Sequence, residues 1–191
     1  TQMIAKGHDF PGVTLVGVVQ ADTTLNFPDF RSSERTYSLL TQVAGRAGRG
    51  ERPGTVMIQT YHPEHEAILC AAANDCPRFA EQELAARQAL GYPPFGFLVN
   101  LILAGNDPHR VEEGATRLAF ALLERSHDGI EILGPAHCPF SRLRGKSRMQ
   151  ILLKAARRPA LSRLLAHLPL LQKAVPAGVR LSVDVDPVDM L

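Results

Sequence analysis

The chain has 191 residues, 45% of them hydrophobic and 21% charged, with a formal net charge of +2. That balance suits an ordinary globular protein of one large or two small domains. It leaves no room for a membrane span, because the longest apolar run, LVNLILAG at 98–105, is far too short to cross a bilayer. No charged-then-apolar leader opens the chain. Its start at Thr1, inside a polar–apolar pattern, reads as a piece cut from a longer protein.

VTLVGVVQ at 13–20 is a β-branched apolar run and predicts a buried strand. Residues 32–48 predict a helix that opens on a serine cap, with an apolar face at 37, 39, 40, 43 and 44. Gly50, Pro53 and Gly54 break it, and TVMIQTY at 55–61 predicts a second strand. Strand, helix, strand argues for a parallel layer. Residues 64–90 carry two helical stretches divided near Pro77, and GYPPFGF at 91–97 marks a domain border near Gly91. The expected organisation is therefore a first part at 1–62, a helical connector at 63–91 and a C-terminal domain at 92–191.

Beyond the border the pattern predicts a strand at 97–105, a helix at 108–126 and a strand at 130–135. A basic loop follows, then a strand at 148–154, a helix at 159–174 interrupted by Pro169, and a strand at 179–187. The order β-α-β-β-α-β is that of a split βαβ, ferredoxin-like sandwich. The fold class expected is α/β: a parallel layer followed by a smaller α/β sandwich. The leucines at 161–171 read as core.

The three cysteines, Cys70, Cys76 and Cys138, match no zinc spacing and read as free thiols of a reducing compartment. His62 and His65 lack the companions a metal site needs. His8 reads as a cleft-lining residue. Asp184 and Asp186, two apart, share a strand face and read as a strand end rather than a metal pair.

TQVAGRAGRGERPG at 41–54 carries the sharpest chemistry. On a helix Gln42, Arg46 and Arg49 fall on one face. Gly45 and Gly48 beside them cost about 1 kcal/mol each in a helix interior, and they remove bulk so that a ligand can approach. Guanidinium forks match phosphate oxygens, and an arginine finger contributes about 10³ to 10⁵ in rate. The same spacing is equally met by a glycine-rich helix end with arginines facing water.

Charge is uneven as well. Residues 92–191 hold 13 basic against 9 acidic residues, and between Glu131 and Asp184 stand ten basic residues and no acidic one. Such a stretch suggests a face for an anionic partner. Arg142, Arg144, Lys146 and Arg148 surround Gly145, a set suited to a phosphate backbone. Lys154, Arg157 and Arg158 form a second basic cluster.

QVAGRAGR at 42–49 resembles the last conserved motif of superfamily-two helicases, Q-x-x-G-R-x-x-R. TQMIAKGHDFPGVTLVGVVQAD at 1–22 is similar to the preceding motifs of one branch, the primosomal protein N′ (PriA) replication-restart helicases. Their K-G-x-D-F-P-x-V stands here as Lys6, Gly7, Asp9, Phe10, Pro11 and Val13. GYPPF, ILGP, QILLK and DVDP follow in the family's order, so the resemblance covers essentially the whole chain.

The resemblance implies that the first part is the end of a second RecA-like lobe. Gln42, Arg46 and Arg49 would face the nucleotide γ-phosphate and the attacking water. Gly7 and Asp9 would couple nucleotide state to DNA, and Thr1 and Gln2 would close a motif touching the DNA backbone. It implies an ATP- and Mg²⁺-dependent DNA helicase that unwinds branched DNA at stalled forks, assembles the primosome with other primosome proteins and helps reload the replicative helicase. Branched and single-stranded DNA would be its substrates, in the bacterial cytoplasm at the nucleoid, with no membrane involved. The family's zinc-binding cysteines would lie upstream of residue 1. The second domain would bind fork DNA and the acidic C-terminal tail of single-stranded-DNA-binding protein, the tail falling to Lys146, Arg148 and Gln150. Family members often place tryptophans there, where this chain has none and offers Leu143 and Met149.

The chain contains no G-x-x-x-x-G-K-[ST] phosphate loop and no acidic metal-binding box. It is therefore expected to bind no cofactor and hydrolyse no ATP by itself. The alternative reading is a non-enzymatic nucleic-acid-binding or adaptor module that keeps a helicase-like remnant.

Overall fold

The computed structural model describes residues 13–47, 53–126 and 129–190. Thr1, Gln2, Lys6, Gly7, His8, Asp9, Phe10, Pro11, Gly48, Arg49 and Gly50 lie outside the described residues. The chain divides into two units, Thr1–Ala85 and Ala86–Leu191.

In the first unit, strands β1 (Leu15–Val18) and β2 (Thr55–Ile58) pair in parallel, Leu15 opposite Thr55 and Val18 opposite Ile58. Both are shorter than their apolar runs. Gln20 turns left-handed at φ 57° and ends the first. The second ends where Thr60 and Tyr61 are drawn to Asp22, which opens the short helix α1 (Asp22–Leu25). Helix α2 (Ser32–Ala44) has Arg31, not a serine, at its cap position, with no side-chain cap. Asp29 serves the entry instead: its Oδ1 accepts from Arg31 N at 2.9 Å, and its carboxylate meets Arg35 at 3.1 Å.

The connector joins this unit's core. Helix α3 (Glu66–Ala73) and helix α4 (Cys76–Leu90) are separated at Asn74, not at Pro77. Asn74 is left-handed at φ 54°. Its N–H bonds to Ala71 O at 3.2 Å and that of Asp75 to Cys70 O at 2.9 Å, the paired return bonds that close a helix. Pro77 sits in the first turn of α4, where its missing N–H costs nothing. Ala67, Ile68, Cys70, Ala71 and Phe79 bury together with Tyr37 and Leu40. The Tyr37 and Phe79 rings stack at 4.2 Å.

The division between units falls inside α4. At that helix's end Gly91 (φ 65°) makes the same closure, with Tyr92 N bonded to Arg87 O at 2.9 Å and Gly91 N to Gln88 O at 3.2 Å. The Pro93–Pro94 peptide is cis.

The second unit runs β3 (Phe97–Gly105), α5 (Pro108–Leu123), β4 (Ile130–Leu143), β5 (Lys146–Ala155), α6 (Arg158–Ala166), α7 (Leu168–Leu171) and β6 (Val179–Val185). The sheet order is β4-β5-β3-β6, every neighbour antiparallel. Helix α5 starts where Asp107 accepts from His109 N at 3.0 Å, with Pro108 in its first turn. Val111, Ala115, Leu118 and Leu122 then recur at helical spacing and are fully buried. They pack on Val99, Leu101, Leu103, Ile151 and Leu153. The region expected as one helix at 159–174 is broken: α6 ends at Ala166, α7 carries Pro169 in its first turn, and a 3₁₀ turn follows at Gln172–Ala174.

The largest departure concerns the basic loop. The expected strand at 130–135 continues to Leu143, and β5 begins at Lys146. Residues 138–150 are thus a β-hairpin and not a loop. Arg144 (φ 50°) and Gly145 (φ 78°) form a two-residue turn, both left-handed as tight hairpins require.

Candidate nucleic-acid interface

At the hairpin tip Leu143 pairs with Lys146 and Arg142 with Ser147. Residues 141–146 are all exposed. Arg142, Arg144 and Lys146 therefore stand in solvent on a tip held by paired backbone. Arg148 differs: it is only 9% exposed and lies beside Cys138. Burial pushes the Cys138 thiol up, and the Arg148 charge opposes that push.

Alternation along β5 sends Met149, Ile151 and Leu153 into the core. Arg148, Gln150, Leu152 and Lys154 take the opposite face. Gln150 is half-buried. Of the tail-binding candidates, Lys146 is exposed while Arg148 and Gln150 are sunk in the sheet.

The second basic cluster is largely spoken for. Lys154 Nζ lies 2.7 Å from Glu131 Oε2, donates to Leu90 O at 2.9 Å and sits 5.2 Å from the Tyr92 ring centroid. Arg158 pairs with Asp186 and stacks over Phe97 at 5.1 Å. Arg157 is exposed, just ahead of α6. Asp186 lies past the end of β6 at φ 53°, so it does not share a strand face with Asp184. A cleft of about 450 Å³ opens beside Lys154, lined by Phe95, Ile130 and Glu131 among others.

In the first unit, α2 ends at Ala44, so the expected helix to residue 48 stops early. Gln42 lies exposed in its last turn. Arg46 stands in the turn beyond, half-buried, with its N–H bonded to Val43 O at 3.0 Å. The backbone there tightens from i−4 to i−3 bonds, as helix ends do. Gln42 and Arg46 therefore do not share one continuous helical face, and Arg49 lies outside the described residues. Among the described residues, a Cβ on Gly45 would meet only Thr41 O at 3.5 Å and Gln42 O at 3.7 Å, so no contact among them demands glycine there.

His65 caps α3, its Nδ1 accepting from Ala67 N at 3.2 Å. His62 is exposed, 3.9 Å from Glu64. Cys70, Cys76 and Cys138 are free thiols.

Two polar residues escaped the sequence reading. Asp22, 4% exposed, accepts from Thr60 Oγ1 at 2.8 Å and from Tyr61 N at 3.1 Å. Burial pushes its carboxyl up, but these hydrogen bonds outweigh it and the pKa falls below the ordinary value. Asn100, in mid-β3, is 1% exposed, and neither atom of its side-chain amide has a hydrogen-bond partner among the described residues. Its signal was available: it is the one polar side chain inside FLVNLILAG.

The second unit is a small α/β domain with three exposed cations, Arg142, Arg144 and Lys146, on one hairpin tip. Residues 88–188 match the family model of the primosomal protein N C-terminal domain, and the chain belongs to that family. It is similar along its whole length to proteins named replication restart protein PriA. Identity is 44% over 191 residues with that of Treponema pallidum, covering 100% of this chain and 29% of the relative. It is 42% over 190 residues with that of Synechocystis, covering 100% and 22%. It is 41% over 193 residues with that of Bacillus subtilis, covering 100% and 24%. The chain thus spans about a quarter of the length of these relatives.

Proposed function

We propose that this chain is the C-terminal part of an ATP-driven DNA helicase that restarts replication by unwinding branched DNA and assembling the primosome. The observation that carries the reading is the solvent-exposed cationic tip, Arg142, Arg144 and Lys146, on a chain of this family. Three cations on a rigid hairpin neutralise phosphates without reading bases, as fork binding requires.

The first unit is read as the end of a RecA-like lobe. Its parallel pair β1–β2 supports this, since parallel strands belong to larger layered sheets. In that reading Gln42, Arg46 and Arg49 close on the γ-phosphate of an ATP held by an upstream lobe. Gly7 and Asp9 line the same cleft, and Thr1 and Gln2 reach the DNA backbone. ATP, Mg²⁺ and an upstream zinc site belong to the longer protein. The second unit is read as the split βαβ sandwich, holding branched and single-stranded DNA. Lys146, with Arg148 and Gln150 behind it, is the site assigned to the acidic tail of single-stranded-DNA-binding protein. Among the described residues no helix is long and apolar enough to cross a membrane, in keeping with a protein of the bacterial cytoplasm and nucleoid.

The test is ATP hydrolysis with and without fork DNA, by this chain and by the longer protein. The chain alone gives no magnesium-dependent hydrolysis. The longer protein gives DNA-stimulated hydrolysis that Arg46→Ala lowers by about 10³-fold or more, the scale of a lost arginine finger. Hydrolysis by the chain alone, or an Arg46→Ala protein of normal rate, contradicts the reading.

A further inference from the structure

The hairpin carries more than charge. Between the pair His137–Met149 and the pair Arg142–Ser147, β4 advances five residues while β5 advances two. Three extra residues of β4 are accommodated in that stretch, on the outer strand of the sheet. Pro139 lies within it, and a proline, which donates no ladder hydrogen bond, is tolerated at such a place. A bulge re-aims the side chains around it. Here Cys138 is turned inward, 3% exposed, while Phe140 is 50% exposed. Leu143, next to the turn, is 48% exposed. Two large exposed apolar side chains thus accompany Arg142, Arg144 and Lys146: Phe140 from the bulged stretch and Leu143 from beside the turn.

Single exposed apolar residues are ordinary on a surface. These two are distinguished by position: Phe140 lies in the bulged stretch and Leu143 beside the turn, close in sequence to the hairpin cations, with no carboxylate from 132 to 183. That charge pattern favours a polyanion over an acidic-and-basic protein face. Cations that grip phosphates beside an aromatic ring and an aliphatic wedge fit unstacked bases, because every base offers a π-face.

Resting on the DNA-binding reading above, we infer that Phe140 and Leu143 form a wedge that unstacks the base step where a DNA arm opens into single strand. The basic residues hold the flanking phosphates. Phe140 stacks on the exposed base, and Leu143 fills the space the displaced neighbour leaves.

The test uses the 191-residue chain and a three-way fork with 2-aminopurine at the base step adjoining the junction. A second fork carries the probe deep inside a duplex arm. Binding raises fluorescence at the junction step and leaves the duplex probe unchanged. Phe140→Ala with Leu143→Ala abolishes that rise, weakens fork binding by about 5- to 100-fold and keeps the salt dependence of binding. Phe140→Trp, with Leu143 kept, retains the tight fork binding that the double variant loses, which a merely misfolded hairpin would not allow. If the chain binds the fork without a junction signal, or the double variant keeps the signal, the wedge is wrong while the DNA-binding reading survives. If the chain binds neither fork at low salt, the DNA-binding reading fails and the wedge with it.

Discussion

The second unit covers one face of its four-stranded sheet with helices and buries Leu101, Leu103, Ile151 and Leu153 completely. The first unit's two-stranded parallel sheet leaves Leu15 59% and Met57 62% exposed. An antiparallel sheet tolerates one open face, whereas a parallel pair gains its stability from burial on both. The contrast shows where each unit keeps its stability. The second carries its own core and can offer a rigid hairpin. The first draws most of its core from α2, α3 and α4 rather than from its strands.

The contrast breaks most sharply at two positions of the second unit. Gly96→Ala places a Cβ 2.2 Å from Gly91 O, a backbone atom that cannot swing away. It should destabilise the second unit by several kcal/mol, at the upper end of the range for single changes, read as a fall in its denaturant midpoint. Leu122→Ala removes a fully buried side chain from the main core and should cost about 2–5 kcal/mol. A cost under about 1 kcal/mol would mean that α5 is not seated as described.

Amide hydrogen exchange sharpens the comparison next. Amides of β1 and β2 should exchange orders of magnitude faster than those of β3 and β5, because local opening of the small sheet exposes little buried surface. Equal protection in both sheets would contradict it.

Acid separates the units more gently. The folded pKa of Asp22 lies below its unfolded value of 3.8. Its contribution is therefore present above that pH and is lost as pH falls through the folded pKa. Asp22→Asn should remove this part of the first unit's acid sensitivity and leave the second unit's unchanged. An unaltered acid titration of the first unit in the variant would count against the Thr60 and Tyr61 hydrogen bonds.

The smallest effect is expected at Asn100. Its buried amide costs about 1–3 kcal/mol where it is unsatisfied, so Asn100→Leu should leave the second unit as stable or slightly more so. A marked fall in Tm would show that the amide is engaged.

What was legible in the sequence follows the strength of each local signal. β3 is present at the expected limits because its apolar run is continuous and sits between Gly96 and the Asp107 cap. α5 begins at the expected residue 108, where Asp107 caps it, and ends at Leu123, short of the expected 126. The hairpin was not, because residues 141–146 are exposed on both faces and leave no two-residue period to read. Its signal was the Arg144–Gly145 turn, which resembled any flexible loop. The end of α2 was misjudged because apolar spacing ran on through Val43 and Ala44 while the backbone tightened at Gly45. Engagement of Lys154 and Arg158 could not be seen at all. Their partners, Glu131 and Asp186, lie 23 and 28 positions away and meet them only through the fold.

That last difference gives the most direct test of the account: the hairpin cations face solvent while Lys154 and Arg158 are held in ion pairs. Fork binding by this chain would be measured across a salt series with Arg142, Arg144 and Lys146 all changed to alanine, and separately with Lys154 and Arg158 changed. Each phosphate-contacting cation contributes about 0.9 to the slope of log affinity against log salt. The hairpin variant should flatten that slope by about 2 to 3, and the Lys154/Arg158 variant should leave it nearly unchanged. An unchanged slope in the hairpin variant, or an equal flattening in the other, would contradict the account.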